Sequence, residues 1–151
     1  MNNRKYSFFI SILFIILVVC GCAATEETVE EQVSKTENQK FESNSYSMIG
    51  VENKIGFIYD EHSTPFIADE GQKYMWHFWG DDVVDQQFTV IGKNMKSGEE
   101  VVVIDNEIIA GPLNGADAHM PSSMSLPTQG KWALMAYVDE ELFGTIAVDV
   151  R

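Results

Sequence analysis

From Met48 to Arg151 the chain carries no sustained 3.6-residue apolar period, while period-two alternation recurs along it. Trp132, Leu134, Ala136 and Val138 fall on one side of an extended run, and Ala133, Met135 and Tyr137 on the other. After Asp139, Glu140 and Glu141 the pattern resumes, with Ile146, Val148 and Val150 on one face. Shorter apolar or aromatic runs stand at 55–59, 73–79, 88–92 and 101–104. Asn94, Ser97 and Gly98 supply turn chemistry between two of them, and Asp105-Asn106 is expected to turn the chain tightly into a further strand at 107–110. Pro65, Pro112, Pro121 and Pro127 are read as lying between runs. The pattern predicts an all-β domain, an antiparallel β-sandwich of seven to eight strands in about 100 residues.

The chain ahead of this domain is of another kind. Arg4 and Lys5 precede fourteen residues, Tyr6 to Val19, interrupted only by Ser7 and Ser11. A basic start, an apolar run and small residues at the end are the parts of a secretory signal. The segment closes on Val19, Cys20, Gly21 and Cys22, which resembles a lipobox, although Cys20 and Val19 depart from its commoner residues. The resemblance implies cleavage after residue 21, a palmitate-type diacylglyceryl anchor on Cys22, and a place on the extracytoplasmic face of a cell membrane. An uncleaved anchor, Tyr6 to Ala24, would leave the domain on the same side. Residues 22–47 read as an acidic, disordered tether, because Ala23 to Ser47 holds six Glu and few large apolar residues. The organisation expected is therefore a signal peptide at 1–21, a tether at 22–47 and a sandwich at 48–151.

Both cysteines, Cys20 and Cys22, lie ahead of the domain, so no disulfide can staple it. It must stand on its apolar core, for which 104 residues are enough. Net charge is −13, and becomes −15 once Arg4 and Lys5 are removed. This argues against nucleic acid and against anionic headgroups as partners, and fits a solvated surface on a monomer.

From Tyr74 to Val150 the sequence is similar to a family of small, uncharacterised lipoproteins of Bacillus-type bacteria. The strings that carry the likeness are YMWHFWG (Tyr74 to Gly80), GADAHMPSSMSLP (Gly115 to Pro127), GKWALMAYV (Gly130 to Val138) and LFGTIAVDV (Leu142 to Val150). The resemblance implies an immunoglobulin-like sandwich and an envelope location, and brings no activity with it.

Two segments carry candidate chemistry. In a strand, Trp76 and Phe78 face one way and Met75, His77 and Trp79 the other. A sandwich needs one of these faces for its core. The second is either an exposed aromatic patch that binds a partner, or is covered, with each indole and imidazole hydrogen-bonded inside. Asp117, His119, Ser122 and Ser123 name the groups of a hydrolytic triad, but they are crowded into seven residues without a nucleophile elbow, and a structural loop fits them better. His119, Met120 and Met124, with His77, form an alternative copper-type ligand set of imidazole and thioether. No cofactor is expected otherwise. The segment Trp76 to Gly80 and the loop Gly115 to Ser123 are expected to meet at one end of the sandwich. Candidate binding residues are thus Trp76, His77, Trp79, Asp117, His119, Ser122 and Ser123. The function these readings favour is a non-catalytic binding module that contacts an envelope protein or a cell-wall component; a copper-binding accessory lipoprotein is second and a hydrolase third.

Overall fold

In the computed structural model, which describes residues 39–151, the alternating runs become strands and no helix forms among the described residues. The nine strands are β1 (Gln39–Ser43), β2 (Tyr46–Val51), β3 (Ile55–Ile58), β4 (Gln72–Phe78), β5 (Gln87–Asn94), β6 (Glu100–Ile108), β7 (Ala118–Met124), β8 (Gly130–Val138) and β9 (Glu141–Val150). They form two antiparallel sheets, one ordered β1-β2-β3-β4-β7 and the other β6-β5-β8-β9. The core lies between the sheets. Phe57, Trp76, Phe78, Ala118 and Met120 enter it from the first sheet, and Phe88, Val90, Trp132, Leu134 and Ile146 from the second. These are the period-two positions of their strands, so alternation assigns the inner face correctly. Trp76 packs on Phe57 and Phe88, with ring centroids 4.8 and 5.2 Å away.

Three expectations need correction. The tether was placed at 22–47, yet residues 39–47 are β1, a turn and the start of β2, paired in register from Gln39↔Gly50 to Ser43↔Tyr46. The sandwich therefore begins before Met48. The signal peptide at 1–21, Cys22 and the rest of the tether lie outside the described residues. Second, Asp105-Asn106 makes no turn. Both lie inside β6, where the register against β5 shifts and Asn106 takes a φ of 56°. An Asn accepts the left-handed region that a bulge requires, so the same residue signals either feature. Third, Pro121 sits within β7. Proline is tolerated there because β7 is the last strand of its sheet and one side of it has no ladder to complete.

Candidate functional site

The two segments singled out in the sequence are neighbouring strands. β4 and β7 pair so that Trp76 stands opposite Met120, His77 opposite His119 and Phe78 opposite Ala118. The expected contact is present, but along the sheet; only Trp79, Gly115 and Asp117 reach the end of the sandwich. There the Trp79 indole N–H donates to the Gly115 carbonyl at 3.3 Å, and the Gly80 N–H donates to Asp117 Oδ2 at 2.9 Å.

His77 points away from the core and is nevertheless fully buried. Its cover is the hairpin of β1 and β2, which curls over the outer side of the first sheet. The Phe41 ring reaches across Gly56, where a Cβ would stand 2.8 Å from its Cζ, and lies 5.8 Å from the Trp79 ring at 69°. A Cβ on Gly115 would collide with the Asn44 side chain at the hairpin turn. In a flat sheet β1 would lie about 19 Å from β7, four strand spacings away, so this contact requires the curl. The absence of a side chain at Gly56 and Gly115 is what lets the hairpin close.

Both nitrogens of His77 are engaged. Nδ1 lies 3.1 Å from the Met75 carbonyl and so carries the proton; Nε2 lies 3.1 Å from the Asn114 amide nitrogen and so accepts from it. Burial holds the imidazole below its ordinary pKa; the Met75 carbonyl works in the opposite direction, and nearby His119 adds to the lowering. His77 is a neutral, fully bonded structural histidine.

The remaining candidates separate. His119 Nδ1 donates to the Gly111 carbonyl at 2.6 Å. Met120 and Met124 point into the core, on the opposite side of β7 from His119. The copper-type set therefore does not converge, and among the described residues no three His, Cys, Asp or Glu side chains group as metal ligands. The triad does not assemble either. Ser122 Oγ accepts the Trp76 indole N–H at 3.1 Å, Asp117 serves the Gly80 backbone, and His119 is turned to Gly111.

What Ser122 and Ser123 do line is a groove of about 430 Å³. It follows the seam where the last strand of one sheet, β7, meets the last strand of the other, β6. Lys73 and Pro121 complete one wall, and Val103, Ile104, Asp105 and Glu107 the other. Among the described residues, Ala110 pairs with His119 and covers the free side of β7 at that point. Among the described residues β6 also exposes Val102 and Ile108, at 62% and 56%; they stand opposite Ile91 and Gln87, on the face of the second sheet turned away from the core. Sequence reading missed this groove. Its residues come from three strands distant in sequence, β4, β6 and β7, and no local pattern joins them.

Comparison with known proteins bears on the whole domain. A family described as a domain of unknown function, DUF4871, matches residues 25–148. The chain belongs to this family. The fold is similar to that of the crystal structure of "a Putative Lipoprotein from Bacillus anthracis", with a TM-score of 0.60 and 21% identity, over 76% of this chain and 85% of that one. No curated protein matches the sequence.

Proposed function

We propose that the protein is a lipid-anchored, extracytoplasmic binding module, immunoglobulin-like in topology, that holds an extended segment of an envelope protein along the β6/β7 seam. The observation that carries this reading is the groove itself. It lies between two strand edges that lack a full set of ladder partners, with the half-buried Val103 and the exposed Pro121 on its walls. Such an edge recognises a polypeptide through main-chain hydrogen bonds, and the flanking side chains select it. Lys73 on one wall and Asp105 and Glu107 on the other offer charges of both signs to that segment.

The anchor follows from the lipobox-like Val19 to Cys22 and is in keeping with the description of the Bacillus anthracis protein. The immunoglobulin-like reading is supported by the strand order. β7 leaves the hairpin partners β5 and β6 to pair with β4, while β8 returns beside β5, a Greek-key path. A non-catalytic role fits the dispersal of Asp117, His119 and Ser122 to separate structural bonds.

The test is photo-crosslinking of the full-length lipoprotein in its own envelope. A photoreactive residue at Ser123, in the groove, should give a discrete adduct, whereas one at exposed Glu61 should not. Adducts from both positions alike, or from neither, reject the groove as the binding surface. In the same cells Cys22→Ala should accumulate unprocessed precursor; normal processing of that variant would reject the anchor and leave the groove result standing.

A further inference from the structure

Among the described residues the strand register breaks only in the second sheet, between β5 and β6 on either side of Val90 and between β8 and β9 at Ala136 and Tyr137. The two breaks are neighbours, because Thr89 stands opposite Tyr137 in the β5–β8 ladder. A bulge re-aims the side chains around it. Here the side chains meet on the face turned away from the core. Gln87, Thr89 and Ile91 of β5, Asn106 of β6, Tyr137 of β8 and Glu140 of the β8–β9 turn line a pocket of about 210 Å³. Backbone bonds hold its frame. The Asn106 N–H donates to Thr89 Oγ1 at 3.3 Å, the Gln87 N–H to Asp139 Oδ1 at 3.3 Å, and the Asp139 N–H to the Gln87 carbonyl at 3.0 Å. Two of the six lining residues carry left-handed backbone, Asn106 at φ 56° and Glu140 at φ 69°. Nine non-glycine residues take positive φ among the described residues, and eight of them are Asn or Asp, which enter that region most easily. Glu140 is the ninth. Strain of this kind collects at binding sites, where the side chain offsets its cost.

We propose that this pocket binds a neutral glycan through one N-acetylated hexosamine unit. A sugar ring has an apolar C–H face and a rim of hydroxyl groups. Tyr137 and Ile91 offer apolar surface to the first. The Gln87 and Asn106 carboxamides, each donor and acceptor at once, and the Glu140 carboxylate, an acceptor only, serve the second. An acetamido group adds an amide that matches the carboxamides and a methyl that suits Ile91 and the exposed Val102 opposite it. The volume lies below the roughly 300–1,000 Å³ of sites for drug-sized ligands, which limits the occupant to about one ring. No Lys or Arg lines the pocket and its one charged group is an acid, so a polymer bearing phosphate or uronate is repelled. The seam groove and this pocket share no lining residue, since Asp105 and Glu107 turn to the groove and Asn106 between them to the pocket. The two sites therefore stand or fall separately.

Saturation-transfer NMR tests the pocket. The full-length lipoprotein is held in a sugar-free detergent, and the probe is the β-1,4-linked tetramer of N-acetylglucosamine. Saturated protein methyls should pass magnetisation to the sugar, and titration gives the Kd. Asn106→Gly and Glu140→Gly keep the left-handed backbone without a Cβ clash and remove one polar group each. Both should hold or raise the thermal midpoint. Both should also raise the Kd, roughly ten-fold where the charge-assisted bond of Glu140 is lost. Weaker binding by an equally or more stable protein is a result that a purely structural role for these side chains does not give. Tyr137→Leu should abolish transfer, while Tyr46→Leu, at the exposed tyrosine of β2, should leave it unchanged. No transfer to the tetramer overturns the proposal. So does an unchanged Kd in both glycine variants, which would put the sugar elsewhere, and so does equal binding of a galacturonic acid tetramer. If a glycine variant loses cooperative unfolding, Gln87→Ala, at an exposed position, takes its place with the same outcomes.

Discussion

At the scale of the residue, His77 shows how a group that looks reactive becomes structural. Its two nitrogens are spent on a carbonyl and an amide inside a layer formed by Phe41, Trp79 and Asn114. Protonation would place an N–H at Nε2 against the Asn114 amide group, in a fully buried site. Because its folded pKa lies below the ordinary value of 6.5, the unfolded chain binds the proton more readily than the folded one. His77 therefore contributes stability that is present above pH 6.5 and is lost as pH falls from there through the folded pKa. Urea denaturation at pH 7.5 and at pH 5.5 should show a lower midpoint in acid. The variant His77→Gln should be less stable at pH 7.5 but much less sensitive to pH over this range. An equal pH dependence in that variant would move the effect to another group. The sequence exposes the period-two position of His77 but not its burial. Its cover comes from a segment whose only large apolar residue is Phe41 amid Gln, Lys, Glu and Ser.

At the scale of the element, the strands were legible where one face is core and the other more open, as in β5, and were misread where a local signal has two uses. Asp105-Asn106 reads as a turn or as a bulge, and only the continued pairing of β6 with β5 before and after it decides for the bulge. Pro121 reads as a breaker until β7 is known to be an edge strand. The β8–β9 connection is the converse case, a correct hairpin built from unfavourable residues. Val138 pairs with Glu141 across Asp139 and Glu140, whose φ values are 47° and 69°. Two positive φ angles define the hairpin turn that matches strand twist, and Glu is poorly suited to the second of them. Glu140→Gly should raise stability by about 0.5–1 kcal/mol, because glycine enters that region without the Cβ clash. The rise in the thermal midpoint measures it; an unchanged or lower midpoint would mean that the Glu140 side chain makes a compensating contact.

At the scale of the whole molecule, the boundary of the domain is the feature that composition hides. Gln39 to Ser47 is polar enough to pass for tether, and no periodic pattern can form over the five residues of β1. Its role is visible only from the other side of the contact. Met48 is wholly buried and Phe41 nearly so, and both stand on the face that also holds His77. Removing β1 therefore uncovers Met48, His77 and one side of Trp79 in a single step, and leaves the outer edge of β2 without a partner. Loss of the Phe41 contacts alone compares with a large-to-small core substitution, about 3–5 kcal/mol, a large share of the roughly 5–15 kcal/mol that hold a domain together. A chain beginning at Gln39 should fold cooperatively, with circular dichroism dominated by strand. A chain beginning at Met48 should unfold at markedly lower urea concentration or fail to fold, even though it retains eight of the nine strands in whole or part. Equal stability of the two fragments would show that the curled hairpin contributes nothing to the fold, and that His77 keeps its buried state by some other cover.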